Sequence, residues 1–440
     1  MKVFIGIDLG STTTKAVILD SDTEVVGRGI TNSRSNYDVA SQIARQEAFV
    51  QARFNLTRKA ILQNSELVGV EELFLPLLER KFRLAHHLEE LERLGEELHT
   101  AAKGPRHSSY RGELDGLLDE IIDTMGQQAK KHFGALAVRK SEFFRDLAAA
   151  DYMEQAEARA DPKGITFEIL SSLFDQAILP VENATSAEAL GKLIGEALDE
   201  ALKASQATMK DRAGPLQTAV DEARAIELEE VTTVGTGYGR QRLPFSKENI
   251  RSEILCHGLG AHTMFPSTRT VLDIGGQDTK AIQIDANGIV TSFQMNDRCA
   301  AGCGRYLGYI ADEMNMGVHE LGPLAQKSTC SVKINSTCTV FAGAELRERL
   351  SLGQKREDIL AGLHRAIILR AMSLLARSGG VDDEFTFTGG VARNPAAVNA
   401  LEALVSENYG EKTINISAAS IYTGALGAAL FAYRGVAEAA

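Results

Sequence analysis

The chain has 440 residues, a formal net charge of -12, 44% hydrophobic and 24% charged residues, and five cysteines. This composition is typical of a globular protein of two or three domains and argues against a disordered or membrane-embedded class. The acidic balance argues against nucleic acid as a partner, because domains that bind it carry basic surfaces. An odd number of cysteines without a secretory signal favours a reducing compartment over a disulfide scaffold. We therefore expect a cytoplasmic protein that binds neither nucleic acid nor a membrane.

The first segment, residues 3–10, reads VFIGIDLG and predicts a buried strand that ends in a carboxylate and a glycine. The sequence STTTK follows, and further apolar runs then predict a hairpin sheet. A glycine lets the backbone approach a phosphate, hydroxyls and an ammonium donate hydrogen bonds to it, and a carboxylate holds Mg²⁺. We assign Asp8 as a catalytic candidate, and the nucleotide-binding candidates are Gly10, Ser11, Thr12, Thr13 and Lys15.

Residues 36–227 read almost entirely as helix, whereas the segments on either side are strand-like and rich in glycine. Apolar residues recur at helical spacing, for example in residues 73–84 and 88–94. Helix breakers at 104–105, 161–164 and 214–215 divide the region into about three helical units. The sequence thus predicts a large helical insertion, whose polar faces either are simply solvated or dock a partner.

A second copy of the phosphate-binding pattern lies at residues 271–280, which read VLDIGGQDTK. An isolated aspartate at a strand end is usually a turn carboxylate, but the duplication argues against that interpretation. Two such loops facing each other would clamp the β- and γ-phosphates, with Asp8 and Asp273 holding Mg²⁺. We assign Asp273 and Gln277 as catalytic candidates, and the nucleotide-binding candidates of this copy are Gly275, Gly276, Gln277 and Lys280.

A third segment, residues 385–395, ends an apolar run in Gly389 and Gly390 and continues to Asn394. These three residues are candidates for contact with an adenosine. Neither a P-loop nor a Rossmann glycine pattern follows a strand in this sequence. Together the three segments resemble the two phosphate motifs and the adenosine motif of acetate and sugar kinases, actin and heat-shock ATPases.

That resemblance implies an α/β fold of duplicated actin-like (ribonuclease H-like) ATPase domains that bind ATP and Mg²⁺. Residues 1–35 and 228–265 would form the first ATPase subdomain. Residues 36–227 would form the helical insertion. Residues 266–440 would form the second subdomain, which carries the cysteine-bearing helices.

Two cysteines, Cys299 and Cys338, precede predicted helices, whose positive ends stabilise a thiolate. Thiolates ligate iron, but common iron–sulfur clusters take four ligands, so a partner chain would supply two more. Cys303 is left open as a ligand, a tuning residue or a residue that lines the site. Cys256 and Cys330 are expected to be small hydrophobic residues of the core.

The segments DIGGQDTKAI, FQMNDRCAAG, STCTVFA and TGGVARN resemble two related groups of proteins. These are the activator ATPases of 2-hydroxyacyl-CoA dehydratases and the ATPase subunits of ATP-dependent benzoyl-CoA reductase. The resemblance covers residues 1–35 and 228–440. It implies a [4Fe–4S] cluster held across a subunit interface, with Cys299 and Cys338 as this chain's ligands. The implied partners are a homologous ATPase subunit, catalytic reductase subunits, and ferredoxin as the electron donor.

Because the small activators lack a segment like residues 36–227, the sequence favours the reductase subunit. The expected function is ATP-driven transfer of low-potential electrons to a partner that reduces benzoyl-CoA or a related aromatic acyl-CoA. One alternative is an activator of a 2-hydroxyacyl-CoA dehydratase. The other is an amino-sugar kinase of the same fold, in which the cysteines would be incidental. Glu253 and His257 share a helical face and either orient the attacking water or satisfy each other.

Overall fold

The structure is a computed structural model. It describes residues 1–33, 36–105, 110–134, 137, 143–161, 164–183, 187–206, 210–237, 244–296, 304–330, 332–334 and 339–437.

Nine strands and fourteen α-helices alternate along the described residues. The strands are β1 (Lys2–Leu9), β2 (Thr13–Leu19), β3 (Val25–Asn32), β4 (Glu229–Gly237), β5 (Thr270–Ile274), β6 (Thr279–Ile284), β7 (Val290–Asn296), β8 (Glu384–Thr388) and β9 (Thr413–Asn415). The helices are α1 (Tyr37–Gln63), α2 (Glu71–Ala102), α3 (Arg111–His132), α4 (Phe144–Arg159), α5 (Phe167–Asn183), α6 (Ala187–Gln206), α7 (Ala213–Ala225), α8 (Glu253–Met264), α9 (Gly304–Glu313), α10 (Val318–Ala325), α11 (Thr339–Ser351), α12 (Arg356–Ser378), α13 (Pro395–Tyr409) and α14 (Thr423–Ala437).

The chain forms two compact units. The first unit comprises residues 1–48 and 228–440, and the second unit comprises residues 49–227. The division lies inside α1 and not at residue 36, because the first turns of α1 pack on β3. There a Cβ on Gly29 would lie 2.0 Å from the carbonyl oxygen of Ala44.

Two sheets of matching topology form the centre of the first unit. The first has the order β3-β2-β1-β4, with β1 to β3 antiparallel and β4 parallel to β1. The second has the order β7-β6-β5-β8-β9, in which β5 to β8 repeat that arrangement and β9 adds a parallel strand. This duplication confirms the predicted α/β fold of two actin-like halves.

Helices cover both faces of the first sheet. Gly6 and Gly29 lie on opposite faces, because Gly6 is in register with Val17 and Gly29 with Ala16. A Cβ on Gly6 would lie 2.1 Å from the Ala425 carbonyl oxygen, so α14 packs directly on the strand there. We expect residues 266–440, which include α14, to form the second subdomain. In the structure, however, α14 packs on the first sheet.

The helices α8 and α14 connect the two sheets. α14 packs on β1, β2 and β4, while α8 packs on α14 and on the strands β5 to β7. Their backbones come into contact, since a Cβ on Gly260 would lie 2.1 Å from the Thr423 carbonyl oxygen. Likewise, a Cβ on Gly427 would lie 1.9 Å from the Cys256 carbonyl oxygen. Only glycine permits so close a crossing at these two positions.

The second unit is helical throughout its described elements. Two apolar clusters hold it together, one around Leu98, Ile121 and Phe174, and another around Phe74, Phe82 and Val220. The breakers at 104–105 and 161–164 separate helices as predicted, whereas 214–215 lies in the first turn of α7. Proline is tolerated there, because the first backbone N–H groups of a helix have no intrahelical partner.

One described helix, α12, is long and apolar enough to cross a membrane. However, 61% of its apolar window is buried inside the protein. Residues such as Leu363, Ile367 and Leu375 belong to the core behind the second sheet. Its apolar character is therefore explained by packing.

Candidate functional site

The two predicted phosphate loops join the first two strands of each sheet in the same way. In the first hairpin Asp8 on β1 is paired with Lys15 on β2. In the second, Asp273 on β5 is paired with Lys280 on β6. The duplicated sequence pattern thus produces the same register twice, with an aspartate and a lysine directly opposite each other.

The two loops and the third predicted segment lie together. A Cβ on Gly276 would lie 2.0 Å from Thr12 Oγ1, so the phosphate loops are in direct contact. Gly389 has a φ of +87°, and a Cβ there would lie 2.8 Å from Asp273 Oδ1. By contrast, a Cβ on Gly390 would meet no described atom within 4 Å. The structure thus brings the three segments to one place and leaves open space beside Gly390.

Each aspartate of the two loops is buried and has one carboxylate oxygen without a hydrogen bond within the described part of the chain. Asp8 is 3% and Asp273 is 2% exposed. Oδ1 of each has no hydrogen-bond partner among the described residues. A buried carboxylate oxygen without a partner is costly, and oxygen ligands of this kind suit Mg²⁺ and its bound waters. The residues present therefore fit a divalent cation between the two loops.

Helix α8 places Glu253 and His257 beside these aspartates. His257 Nδ1 lies 3.5 Å from Asp273 Oδ1, and His257 Nε2 lies 4.0 Å from Glu253 Oε1. The ligand atoms of Asp8, Glu253 and His257 all lie within 4.8 Å of one another. A Cβ on Gly424 would approach both His257 Nε2 and Asp8 Oδ2, at 2.8 and 3.0 Å. Glu253 and His257 thus lie close to Asp8 of the first loop and Asp273 of the second loop, and also close to each other.

A buried ion cluster surrounds Lys280. Its Nζ lies 2.9 Å from Glu253 Oε1, 2.9 Å from Asp278 Oδ2 and 3.1 Å from Asp273 Oδ2. Burial disfavours the charged lysine, but the three carboxylates outweigh it and raise the pKa of Lys280 well above its usual value. Burial also opposes ionisation of Asp273, yet His257 and Lys280 together lower its pKa. The pKa of Asp278 is raised, chiefly by burial.

Sequence reasoning missed Asp278. The signal was available, because Asp278 occupies in the second loop the position that Thr13 occupies in the first, five residues after the aspartate of the strand. A carboxylate in place of a hydroxyl changes the charge around the paired lysine.

Two further candidates have distinct surroundings. Asn394 precedes α13, and its side-chain oxygen accepts hydrogen bonds from the backbone N–H groups of Ala396 and Ala397. Its side-chain nitrogen lies 3.0 Å from Nε2 of the buried His364. The side chain of Asn394 is therefore engaged in capping and packing, while Gln277 lies half-buried on the second phosphate loop.

The predicted cluster ligands Cys299 and Cys338, and also Cys303, lie outside the described residues. The helices that follow them, α9 and α11, begin at Gly304 and Thr339. Cys256 is buried on α8, and burial raises the pKa of its thiol to about 12. The prediction that Cys330 belongs to the core is wrong. It is exposed on a turn in which the backbone N–H groups of Thr329 and Cys330 donate to Asp358.

Comparison with known proteins identifies relatives of this chain. The family described as "BadF/BadG/BcrA/BcrD ATPase family" matches residues 5–432. The activating ATPase of (R)-2-hydroxyglutaryl-CoA dehydratase from Acidaminococcus fermentans is 46% identical over 206 residues, which are 47% of this chain and 76% of that protein. An activator of lactoyl-CoA dehydratase from Anaerotignum propionicum is 40% identical over 50% of this chain and 84% of that protein.

The similarity to solved structures concerns the fold. Component A of the (R)-2-hydroxyglutaryl-CoA dehydratase of Acidaminococcus fermentans aligns with a TM-score of 0.55 at 24% identity, covering 99% of this chain and all of that one.

One of the subunits of benzoyl-CoA reductase from Thauera aromatica is a more distant relative, 30% identical over 47% of this chain and 72% of that protein. The relatives thus favour the dehydratase activator, which the sequence offered as the alternative, over the reductase subunit.

Proposed function

This chain belongs to the BadF/BadG/BcrA/BcrD ATPase family, and we propose that it is the activating ATPase of a 2-hydroxyacyl-CoA dehydratase. In this proposal the chain hydrolyses ATP and passes a low-potential electron to a catalytic partner. Asp8 and Asp273 hold Mg²⁺ between the two loops, and the loop backbones bind the phosphates. The donor would be a low-potential carrier such as ferredoxin.

The relatives support the activator over the reductase. Two named activators are 46% and 40% identical to this chain, whereas the benzoyl-CoA reductase subunit is 30% identical. The reductase hypothesis rested on the helical insertion, which carries no readable motif of its own. The higher sequence identity to the activators is the stronger argument, because in each case it extends over about half of this chain.

A hydrogen-bonded connection between the second phosphate loop and α9 carries the proposal. The backbone N–H of Gly304 donates to the carbonyl oxygen of Gly275 at 2.7 Å. The N–H of Arg305 donates to the carbonyl oxygen of Gly276 at 2.8 Å. Both acceptors belong to the loop predicted to bind phosphate, so a change of nucleotide there would pull directly on the first residues of α9. That is the connection an ATP-driven electron-transfer protein requires.

The cysteines complete the proposal. Cys299 precedes α9 by five residues, and Cys338 immediately precedes α11. Each would contribute a thiolate to a [4Fe–4S] cluster shared with a second subunit, since a common cluster needs four. Such a cluster supplies a one-electron carrier of low potential. The role of this chain's residues is to bind ATP at one end of α9 and hold thiolates near the same end.

The experiment is anaerobic purification of the chain, followed by measurement of iron, of the electron paramagnetic resonance signal and of function with two partners. With a reductant and ATP, the chain should activate a 2-hydroxyacyl-CoA dehydratase component. It should not support reduction of benzoyl-CoA by reductase catalytic subunits. Activity only with the reductase subunits would show that the chain is instead the ATPase subunit of a benzoyl-CoA reductase.

Cysteine variants test the electron carrier. Cys299→Ser and Cys338→Ser replace a soft thiolate with a hard hydroxyl and should remove iron and activation. ATP hydrolysis should persist, because the phosphate loops are other segments. Cys330→Ser is the matched control, since Cys330 is exposed on a turn. A full cluster and full activation in both Cys299→Ser and Cys338→Ser would contradict the assignment and return attention to the kinase alternative.

A further inference from the structure

The two matched lysines have different surroundings, although they occupy the same register in their hairpins. The side chain of Lys280 is 1% exposed, and that of Lys15 is 12% exposed. Lys15 Nζ lies 3.5 Å from Asp8 Oδ2. It also lies beside the loop, since a Cβ on Gly10 would be 3.0 Å from it. Lys15 therefore sits next to the place where the first loop would receive a phosphate.

Lys280 is enclosed by carboxylates from three elements of the chain. Asp273 comes from β5, Asp278 from the second loop and Glu253 from the first turn of α8. All three oxygens lie within 3.1 Å of Nζ, and all three residues are less than a tenth exposed. For Nζ to reach a phosphate it would have to leave this cluster, and buried carboxylates would then lose their counter-charge. Breaking a buried ion pair in this way is strongly unfavourable.

The sequence explains the difference between the two lysines. Each residue of 273–280 corresponds to one of 8–15, so Asp278 stands where the first loop has Thr13. The aspartate at this position adds a carboxylate beside Lys280 that the first loop lacks beside Lys15. Glu253 of α8 adds a further carboxylate, so that Lys280 has two besides Asp273.

We infer that the two lysines of the duplicated motif have different roles. Lys15 is the phosphate ligand, and Lys280 is a positioning residue that fixes the carboxylate of Asp273 and ties α8 to the second loop. This differs from the expectation that both lysines bind nucleotide. The inference goes beyond the proposed electron transfer, because it concerns ATP hydrolysis whatever the partner.

The first test uses the unmodified protein. Lysines are acylated briefly under anaerobic conditions, with and without ATP in EDTA, and the extent of labelling at each lysine is read by mass spectrometry. Lys15 should be labelled in the free protein and protected by ATP. Lys280 should stay unlabelled in both. Labelling of Lys280 that ATP suppresses would overturn the inference, and so would labelling of Lys15 that ATP does not change.

The second test uses a charge-balanced variant. Lys280→Met combined with Asp278→Thr removes one charge of each sign and gives the second loop the threonine of the first. ATP affinity in EDTA should stay within about twofold of the wild-type value, because in this inference Lys280 makes no contact with the nucleotide and Asp273 acts only through Mg²⁺. In Mg²⁺, kcat should fall at least about tenfold with little change in KM, because Asp273 is no longer held.

Lys15→Met is the comparison variant. It should weaken ATP binding in EDTA at least about tenfold, since it removes a hydrogen bond to a charged group. An equal loss of ATP affinity in the Lys280 variant would make Lys280 a phosphate ligand and overturn the inference. Unchanged kcat in the Lys280 variant would overturn it as well. Circular dichroism checks that each variant folds, and if the Lys280 variant does not fold, the labelling result decides.

Discussion

The two units of this protein bury charge in different ways. In the first unit Lys280 and its three carboxylates are almost entirely removed from water. In the second unit ion pairs such as Lys81 with Glu200 and Arg224 with Asp199 lie at the surface. A buried ion cluster is expensive and is retained for a purpose other than stability, whereas surface pairs contribute little. The enclosed lysine with three carboxylates in the first unit therefore supports our proposal that the chemistry lies in that unit.

The largest effect is expected at the paired aspartates. Asp8→Ala or Asp273→Ala should lower ATP hydrolysis by at least about a hundredfold, because each removes a carboxylate that we propose to hold the Mg²⁺ of the nucleotide. The fold should persist in both variants. Asp22→Ala is the control, since Asp22 is an exposed turn residue. Turnover assays under anaerobic conditions measure this, and unchanged hydrolysis in both aspartate variants would remove the proposed Mg²⁺ site.

Shortening a buried side chain of the second unit should lower the unfolding free energy strongly and leave ATP binding unchanged. Leu98 is fully buried on α2. Leu98→Ala should cost about 2–5 kcal/mol of unfolding free energy, through lost burial and the cavity left behind. ATP affinity should not change. Thermal unfolding and nucleotide titration on the same sample measure both, and a parallel loss of ATP affinity would show that the second unit supports the site.

A smaller, pH-dependent effect is expected at His99 in the second unit. Its Nδ1 lies 3.0 Å from Asp115 and its Nε2 lies 2.9 Å from Asp119, so both nitrogens donate only in the imidazolium form. Burial lowers its pKa, but the two carboxylates outweigh burial and raise it above 6.5. The stabilisation is thus complete below pH 6.5 and is lost as pH rises through the folded-state pKa.

His99→Gln should therefore lower the unfolding temperature at pH 6 and have less effect at pH 9. The difference should correspond to at most about 1 kcal/mol, because the pair is partly solvated. Unfolding curves of both proteins at both pH values measure it. A larger difference at pH 9 than at pH 6 would contradict the sign. Asp119→Asn should reproduce part of the effect.

Only a small effect on nucleotide binding is expected from removing the second unit altogether. Residues 49–227 can be replaced by a short linker that keeps Ala40, Ala44 and Ala48, which are buried where α1 meets β3. ATP affinity should stay within about twofold. Assembly with catalytic partners should weaken if the insertion docks them. Loss of ATP binding would show instead that the helices are integral to the first unit.

Much of the geometry of the candidate site could be predicted because it is local. The sequences 8–15 and 273–280 carry glycine, hydroxyl, lysine and aspartate at matching positions, and local hairpins bring them into register. The part that could not be predicted is long-range. Glu253 precedes Lys280 by 27 residues, and no local pattern shows that the first turn of α8 reaches the second hairpin.

The boundaries of the fold were predicted less well, for a related reason. Helical periodicity identifies α1 but does not show that its first turns pack on a strand while its later turns belong to another unit. In the same way, the sequence of α14 is apolar on every side. Its place on the first sheet depends on Gly6, which lies more than four hundred residues away along the chain.

The glycine crossing of α8 and α14 has a mechanical consequence. At Gly260 and Gly427 backbone meets backbone, so the two helices touch there without a Cβ between them, and the crossing is the natural pivot for any rotation of one helix on the other. His257 and Gly424 each precede this pivot by three residues, which is less than one helical turn of about 5.4 Å. Because His257 and Gly424 lie close to the pivot, a rotation about it would displace these two residues little. The same rotation would displace the far ends of both sheets much more. The crossing thus lies where a hinge between the two sheets would leave the candidate site groups of α8 almost in place.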